Sequence, residues 1–401
     1  MRSKADSKQR AEKVRVAVFT DNFDQKNGVC TTYRQMVAHA ERTGRRLDLF
    51  CFSDSEDVET RGRVRIHRYK RLLPVPYYDN LSWDLAVHLS LQTTLSKVRC
   101  HVVHVAGPDR LGHNAMAMAH LRRLPVVGVY HTCLPEYAAQ FIKSPALAPL
   151  VRNVTWSFVR GFYEQCRLVL ATTEAMRERL VGDGLKAPIK VMGRGVDGQL
   201  FHPDRRTVPF VDPPVILYAG RLSIEKNLHY YADTLLRLRA GGLKFRAVFV
   251  GDGPLRTELE ATLPWAEFRG FLEGEELARS YANADIFAFP SVTDTFGNVV
   301  LEAMASGLPC VVADVKGPGE IVRDGISGYV APDPDQFQTR IADLVRFPGR
   351  RALMANAARV EAESHTWDAI FDQLWHRYAL LKRGGIGKPR RIVTESELVE
   401  R

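Results

Sequence analysis

Asp294 and Glu302 lie in SVTDTFGNVVLEAMASGLP (291–309), two carboxylates separated by seven residues, with a glycine and a short apolar stretch between them. Phe296, Gly297 and Asn298 lead into the helical NVVLEAMA, so their amides belong to the donors that a helix start leaves without intrahelical partners. Each carboxylate can accept hydrogen bonds from sugar or ribose hydroxyls, while the amides and the helix dipole favour phosphate between them. Upstream, YAGRLSIEKN (218–227) ends a strand at Gly220 and puts Arg221 and Lys226 into one short turn. Two cations on a rigid loop beside helix amides suit a diphosphate. An exposed polar turn would also carry such cations, so the acidic pair decides the reading. Together the two stretches predict a site for a sugar carried on a nucleoside diphosphate.

Two further loops repeat the strand, glycine turn and helix arrangement. In VFVGDGPLRTELE (248–260) Asp252 reads as a turn cap and not as a catalytic acid. In TDNFDQKNGVCTTY (20–33) Gly28 offers close backbone approach to a ligand. No G-x-G-x-x-G follows that strand, against a nicotinamide dinucleotide, and no P-loop signature is present.

The elements that position these residues alternate short apolar runs with amphipathic stretches. VRVAVFT (14–20), RLDLFCF (46–52), VVHVAG (102–107), PVVGVYHT (125–132), LVLATT (168–173) and IKVMGRGVD (189–197) form one series of strands. VILYAG (215–220), FRAVFVGDG (245–253), AEFRGF (266–271), DIFAFPS (285–291), PCVVAD (309–314) and GYVAP (328–332) form a second. Strands alternating with helices imply parallel sheets, and 401 residues exceed what one core usually organises. The expected fold class is α/β, two Rossmann-like doubly wound domains facing across a cleft. The expected divisions are an acceptor-side domain at 14–200, a linker at 201–214, a donor domain at 215–362, a helix at 363–384 returning to the first domain, and a basic, disordered tail at 385–401.

Composition narrows the classes. The chain is 45% apolar and 25% charged, which is globular material. Six scattered cysteines without a C-x-x-C pair suit reduced thiols in a cytoplasmic protein, not a disulfide frame or a zinc site. The polar N-terminus runs into a strand and reads as no secretory signal. No run reaches eighteen apolar residues, so no transmembrane helix is expected. The net charge of +10 fits solvated surface, an anionic membrane or phosphate-bearing ligands. A nucleic-acid partner is not expected, since no recognition helix or zinc module is evident.

The second half resembles the retaining glycosyltransferases of family 4, which have the GT-B fold. The resemblance rests on GRLSIEKN, VGDGPLRTELE, ANADIFAFPS, DTFGNVVLEAMASGLPCVV and GPGEIVRDGISGYV in order, and more loosely on FDQKNGV, HVAGPDRLG, YHTCLPEY and MGRGVD in the first half. It covers residues 14–380. The family's E-x7-E motif falls on Asp294 and Glu302, with a shorter acid in first place. The resemblance implies that Arg221 and Lys226 hold the donor diphosphate and that Glu302 holds the ribose. It implies further that Asp294 and the amides of Phe296, Gly297, Asn298 and Val299 hold the sugar. The turn carrying Arg269 and Phe271 would meet the base, Gly28 would let the first domain close on the phosphates, and His131 would stand beside the reacting sugar.

Such an enzyme moves a hexose from a UDP- or GDP-type donor to a hydroxyl with retention. Arg221, Lys226 and the amides would stabilise the departing diphosphate, so no metal and no cofactor are expected. The basic, aromatic stretch SPALAPLVRNVTWSFVRGFYEQC (144–166) and YKRLLPVPYY (69–78) suggest a lipid or lipid-linked glycan acceptor. Peripheral contact with an anionic membrane on the cytoplasmic face follows from the same features. A sugar-nucleotide epimerase of the same fold and a soluble small-molecule glycosyltransferase are the alternatives.

Overall fold

Valine, isoleucine and phenylalanine runs of four or five residues, buried on both faces, build the parallel sheets of the chain, as helices covering both sides require. The computed structural model describes residues 14–383, apart from 22, 25–27, 71–73, 76–77, 83–92, 95–96, 141, 143, 145, 210–212, 295 and 316. For 74–75, 78–82, 137 and 140 only the backbone is described. The tail expected at 385–401 lies outside the described residues, as do 71–73 and 76–77 of the stretch 69–78.

The chain divides into two units, one running to Gly193 and resuming at Asp368, the other spanning Arg194–Trp367. Residues 201–214, expected as a linker, belong to the second unit. Phe201 is buried in its core. Arg206 donates to the carbonyls of Ala282 and Ala284 and to Asp285. The prolines there mark a strap fastened by side-chain hydrogen bonds, which composition alone does not reveal.

The first unit holds an eight-stranded sheet of order β10-β9-β8-β7-β1-β2-β4-β3. Its strands are β1 (Arg15–Phe19), β2 (Arg46–Ser53), β3 (Asp57–Arg61), β4 (Val64–Lys70), β7 (Val102–Val105), β8 (Val126–Tyr130), β9 (Leu168–Ala171) and β10 (Ile189–Val191). All neighbours are parallel except β3 on β4. A separate pair, β5 (Pro74–Val75) and β6 (Tyr78–Ser82), was not foreseen. The helix Trp367–Arg383 closes this unit with buried Phe371, Trp375 and Tyr378.

The second unit has a six-stranded parallel sheet of order β13-β12-β11-β14-β15-β16. These are β11 (Val215–Ala219), β12 (Arg246–Val250), β13 (Glu267–Phe268), β14 (Ile286–Phe289), β15 (Cys310–Ala313) and β16 (Gly328–Ala331). The loops at its carboxyl edge are stacked closely. A Cβ on Gly251 would lie 1.9 Å from the carbonyl oxygen of Gly220, and φ there is +129°. Only glycine lets the turn after β12 lie against the turn after β11.

Candidate functional site

In the second unit the winding reverses between β11 and β14, because β12 flanks one and β15 the other. Ligands of open α/β sheets bind outside the carboxyl ends at such a switch point. The loops that leave these two strands carry Arg221, Lys226 and Asp294.

Gly220 breaks β11, and the chain makes the 3-10 turn Ile224–Lys226 before Asn227, at φ 58° and ψ 36°, starts the helix Leu228–Ala240. Lys226 Nζ donates to both oxygens of Asp294, at 2.9 and 2.8 Å. Ser291 Oγ donates to the same carboxylate, and Thr293 Oγ1 donates to the Glu225 carbonyl at 3.1 Å. The two loops are therefore laced together. Arg221 is exposed beside this pair, and among the described residues its guanidinium enters no ion pair. An exposed position was expected for both cations, but the Lys226 side chain is only 18% exposed and is held by Asp294. Spacing in sequence could not show that an acid 68 residues away would reach it.

Gly297, at φ 91°, precedes the helix Asn298–Ala305. A Cβ there would approach Pro318 Cγ at 3.1 Å, so the turn at Gly317–Gly319 lies over the helix start. Phe296 is buried, whereas Asn298 and Val299 are half-buried at the first turn. Glu302 follows one turn later. Tyr281 OH donates to its Oε2 at 3.0 Å. Burial pushes the Glu302 carboxyl up to about 7, against the opposing pull of the Tyr281 hydroxyl. Nothing in the sequence marked Tyr281 or Ser291 as partners of the acidic pair.

Arg269, expected at the base, has its guanidinium tied down by its neighbours. It donates to Glu267 at 2.7 Å and to Ser280 Oγ at 3.2 Å. Phe271 is 48% exposed on the same turn and offers a ring face. Asp252 accepts from the Gly253 amide at 2.8 Å and from Arg256, the turn-capping part read for it from the sequence.

The first unit carries the other two named residues. Gly28 is exposed and opens the helix Gly28–Arg42, with Thr32 Oγ1 donating to its carbonyl at 3.0 Å. His131 follows β8 and is buried, its Nε2 2.9 Å from Tyr33 OH. Tyr33 OH also lies 3.1 Å from His104 Nε2, and Tyr378 OH lies 2.6 Å from His104 Nδ1. A buried chain of two histidines and two tyrosines thus runs from His131 to the helix Trp367–Arg383. Long-range pairing of this kind leaves no local pattern, so only His131 was found. At this unit's own switch point, between β1 and β7, Asp109 accepts from the amides of Gly112 and Asp21. Burial pushes its carboxyl up to about 7.

Trp156, expected to face a membrane, turns inward instead. Its Nε1 donates to the Asp183 carbonyl at 3.0 Å and its ring packs on the core. The exposed apolar edge of the helix Ala148–Tyr163 is Leu150, Val154 and Phe158, continued by Leu147. Lys143 lies outside the described residues.

The family descriptions Glycosyltransferase Family 4 and Glycosyl transferases group 1 match residues 26–200 and 213–346. A GDP-mannose-dependent alpha-mannosyltransferase of Mycobacterium tuberculosis is 31% identical over 92% of this chain and 97% of its own length. The chain belongs to the family 4, group 1 glycosyltransferases. A sulfoquinovosyl transferase of Arabidopsis thaliana is 29% identical over 75% of this glycosyltransferase, which spans 60% of that relative. Sucrose-phosphate synthase from Thermosynechococcus elongatus shares the fold, with a TM-score of 0.74 over 93% of this chain and 100% of that chain at 20% identity. The α/β, GT-B fold class expected from the motifs is the one found. Among the described residues no helix is long and apolar enough to cross a membrane.

Proposed function

We propose that this glycosyltransferase moves a hexose from a nucleoside-diphosphate sugar, of UDP or GDP type, to an acceptor hydroxyl with retention of configuration. The observation that carries this is the Lys226–Asp294 pair at the β11/β14 switch point, with Arg221 on the loop of Lys226 and Glu302 on the helix that follows Asp294. Without donor the lysine and the aspartate satisfy one another. A donor gives each a new partner: the diphosphate takes Lys226 and Arg221, and sugar hydroxyls donate to Asp294. The ribose hydroxyls donate to Glu302, and the turn carrying Arg269 and Phe271 meets the base. The GDP-mannose in the name of the M. tuberculosis relative supports a nucleotide-linked donor.

Charge grows on the diphosphate oxygen as the glycosidic bond breaks, and the two cations with the amides at Phe296–Val299 stabilise it. That task falls to the chain's own cations and amides and not to a metal. For retention, the acceptor hydroxyl attacks on the face that the diphosphate leaves and passes its proton to the departing phosphate oxygen. His131 is placed beside the sugar on the family resemblance, its ring fixed by Tyr33.

The acceptor proposed is a lipid or lipid-linked glycan at the cytoplasmic face of a membrane. The exposed edge Leu147, Leu150, Val154 and Phe158, flanked by exposed Arg152 and Arg160, supports it, as does the net charge of +10. The test is to supply UDP-, GDP- and ADP-hexoses with a lipid extract and to read the anomeric coupling of the first product by proton NMR. An α-linked product from an α-linked donor is expected. A β-linked product overturns retention, and donor conversion without any acceptor indicates epimerisation instead.

A further inference from the structure

Six cations line one depression on the first unit, far along the sheet from its carboxyl-edge loops. Arg15, Arg46, Arg63, Arg65, Lys97 and Arg99 surround a volume of about 330 Å³ whose remaining lining is Asp48, Thr60 and Gly62. The strand register explains the gathering. Arg15 is paired with Arg46, Asp48 with Arg65, and Arg65 with Thr60 across neighbouring strands. Arg46 and Asp48 are two apart on β2, as are Arg63 and Arg65 along the entry to β4, so these side chains share one face. All stand at the amino ends of β1, β2 and β4, whereas the loops carrying Gly28 and His131 leave carboxyl ends. Lys97 and Arg99 arrive from the segment before β7.

The cluster is not neutralised from within. Among the described residues Asp48 is the one carboxylate in the lining, and it is held between Arg65 at 2.7 Å and His67 at 3.0 Å. Those two donors keep its carboxyl below the usual range despite its burial. Arg63 donates to the Gly44 carbonyl. Among the described residues the side chains of Arg15, Arg46, Lys97 and Arg99 enter no ion pair. Neighbouring strands stand only about 4.8 Å apart, inside the roughly 8 Å screening length of physiological salt. The like charges therefore oppose folding, and an anion seated among them relieves the repulsion. Five of the six cations are arginines, whose planar forks match tetrahedral oxyanions in pairs. Among the described residues no aromatic side chain lines the depression, so they offer no base-stacking platform of the kind that single-stranded nucleic acid uses.

We propose that this depression is a second anion site, built for a phosphomonoester or oligophosphate group and separate from the donor site of the second unit. The phosphates can belong to a soluble oligophosphate or to a lipid headgroup, and two arms of one experiment tell these apart. The first arm titrates the full-length protein with inorganic tripolyphosphate calorimetrically. The second co-sediments it with phosphatidylcholine vesicles with and without phosphatidic acid. Both compare wild type with Arg46→Glu/Arg99→Glu, a variant outside the proposed donor site. Loss of one tripolyphosphate site, or at least about tenfold weaker binding, supports the proposal with a soluble source. The same loss on phosphatidic acid vesicles supports it with a lipid source. The variant's melting temperature should equal or exceed that of wild type, because the substitution relieves repulsion, and donor hydrolysis should be unchanged. Should the double variant fail to fold, Arg99→Glu alone, on the segment outside the sheet, is measured in the same way. Equal binding by wild type and variant in both arms overturns the proposal.

Discussion

Replacing Glu302 with glutamine should stabilise the protein at neutral and alkaline pH and leave it unchanged in acid. The carboxyl titrates near 7 in the fold against 4.5 for the free side chain. A raised acid favours its neutral form in the native state, so its contribution to stability is complete below about 4.5 and is lost as pH rises through about 7. At about 1.4 kcal/mol for each pH unit of displacement the ionised carboxylate costs up to roughly 3 kcal/mol. Its half-buried position brings the expectation down to about 2 kcal/mol. Glutamine resembles the neutral acid and still accepts from Tyr281. Urea unfolding of both proteins from pH 4 to pH 8 measures the difference, which should grow from near zero to about 2 kcal/mol. The same burial should appear in binding. Ribose hydroxyls that donate to an ionised Glu302 should tighten nucleoside diphosphate affinity as pH rises through about 7, with proton release, and Glu302→Gln should bind more weakly and without that pH dependence. A stability difference that is flat in pH would refute the reasoning, because the carboxyl would then not be held near neutrality by its surroundings.

Arg221→Ala or Lys226→Ala should each raise the barrier by about 2–4 kcal/mol, read as kcat with saturating donor. Lys226→Ala should also lose about 1 kcal/mol of stability, seen in urea melts, because it abandons Asp294 in a partly closed position, whereas Arg221→Ala should not. Tyr33→Phe should lower kcat while sparing donor Kd, since the His131 ring loses the hydroxyl that orients it; an unchanged kcat would remove the histidine chain from the reaction. Leu150→Ser/Val154→Ser/Phe158→Ser should reduce co-sedimentation with anionic vesicles, while Trp156→Ser, which strips a core contact, should chiefly lower the melting temperature.

Much of the fold was legible because parallel sheets announce themselves. Buried runs such as VILYAG and DIFAFPS, each followed by a glycine turn or a helix start, can be little else. Strand β4, which sets Val64 and Ile66 among arginines, was missed, as were the antiparallel edge strand β3 and the pair β5 and β6, whose sequences are mostly polar or rich in proline and carry no apolar alternation. The strap at 201–214 was misread because its attachments are Arg206 and Phe201, not a periodic face. In the site, residues close in sequence were found together: Arg221 with Lys226, and Phe296 to Val299 with Glu302. What could not be read was pairing across loops. Lys226 on Asp294, Tyr281 on Glu302 and Tyr33 on His131 each join positions 21 or more residues apart. The hold of Glu267 and Ser280 on the Arg269 guanidinium was likewise not foreseen.

The donor site itself is tested most directly by thermal unfolding in a panel of UDP-, GDP- and ADP-sugars, run on wild type and on Glu302→Ala. A ligand at a hundred times its Kd stabilises by about 2.7 kcal/mol. In a unit of this size that moves the midpoint by several degrees, roughly 5–10 °C. At least one nucleotide sugar should produce that shift in wild type, and Glu302→Ala should abolish most of it. If no nucleotide sugar moves the wild-type midpoint at millimolar concentration, or if Glu302→Ala shifts as far as wild type, the β11/β14 switch point is not a nucleoside-diphosphate-sugar site.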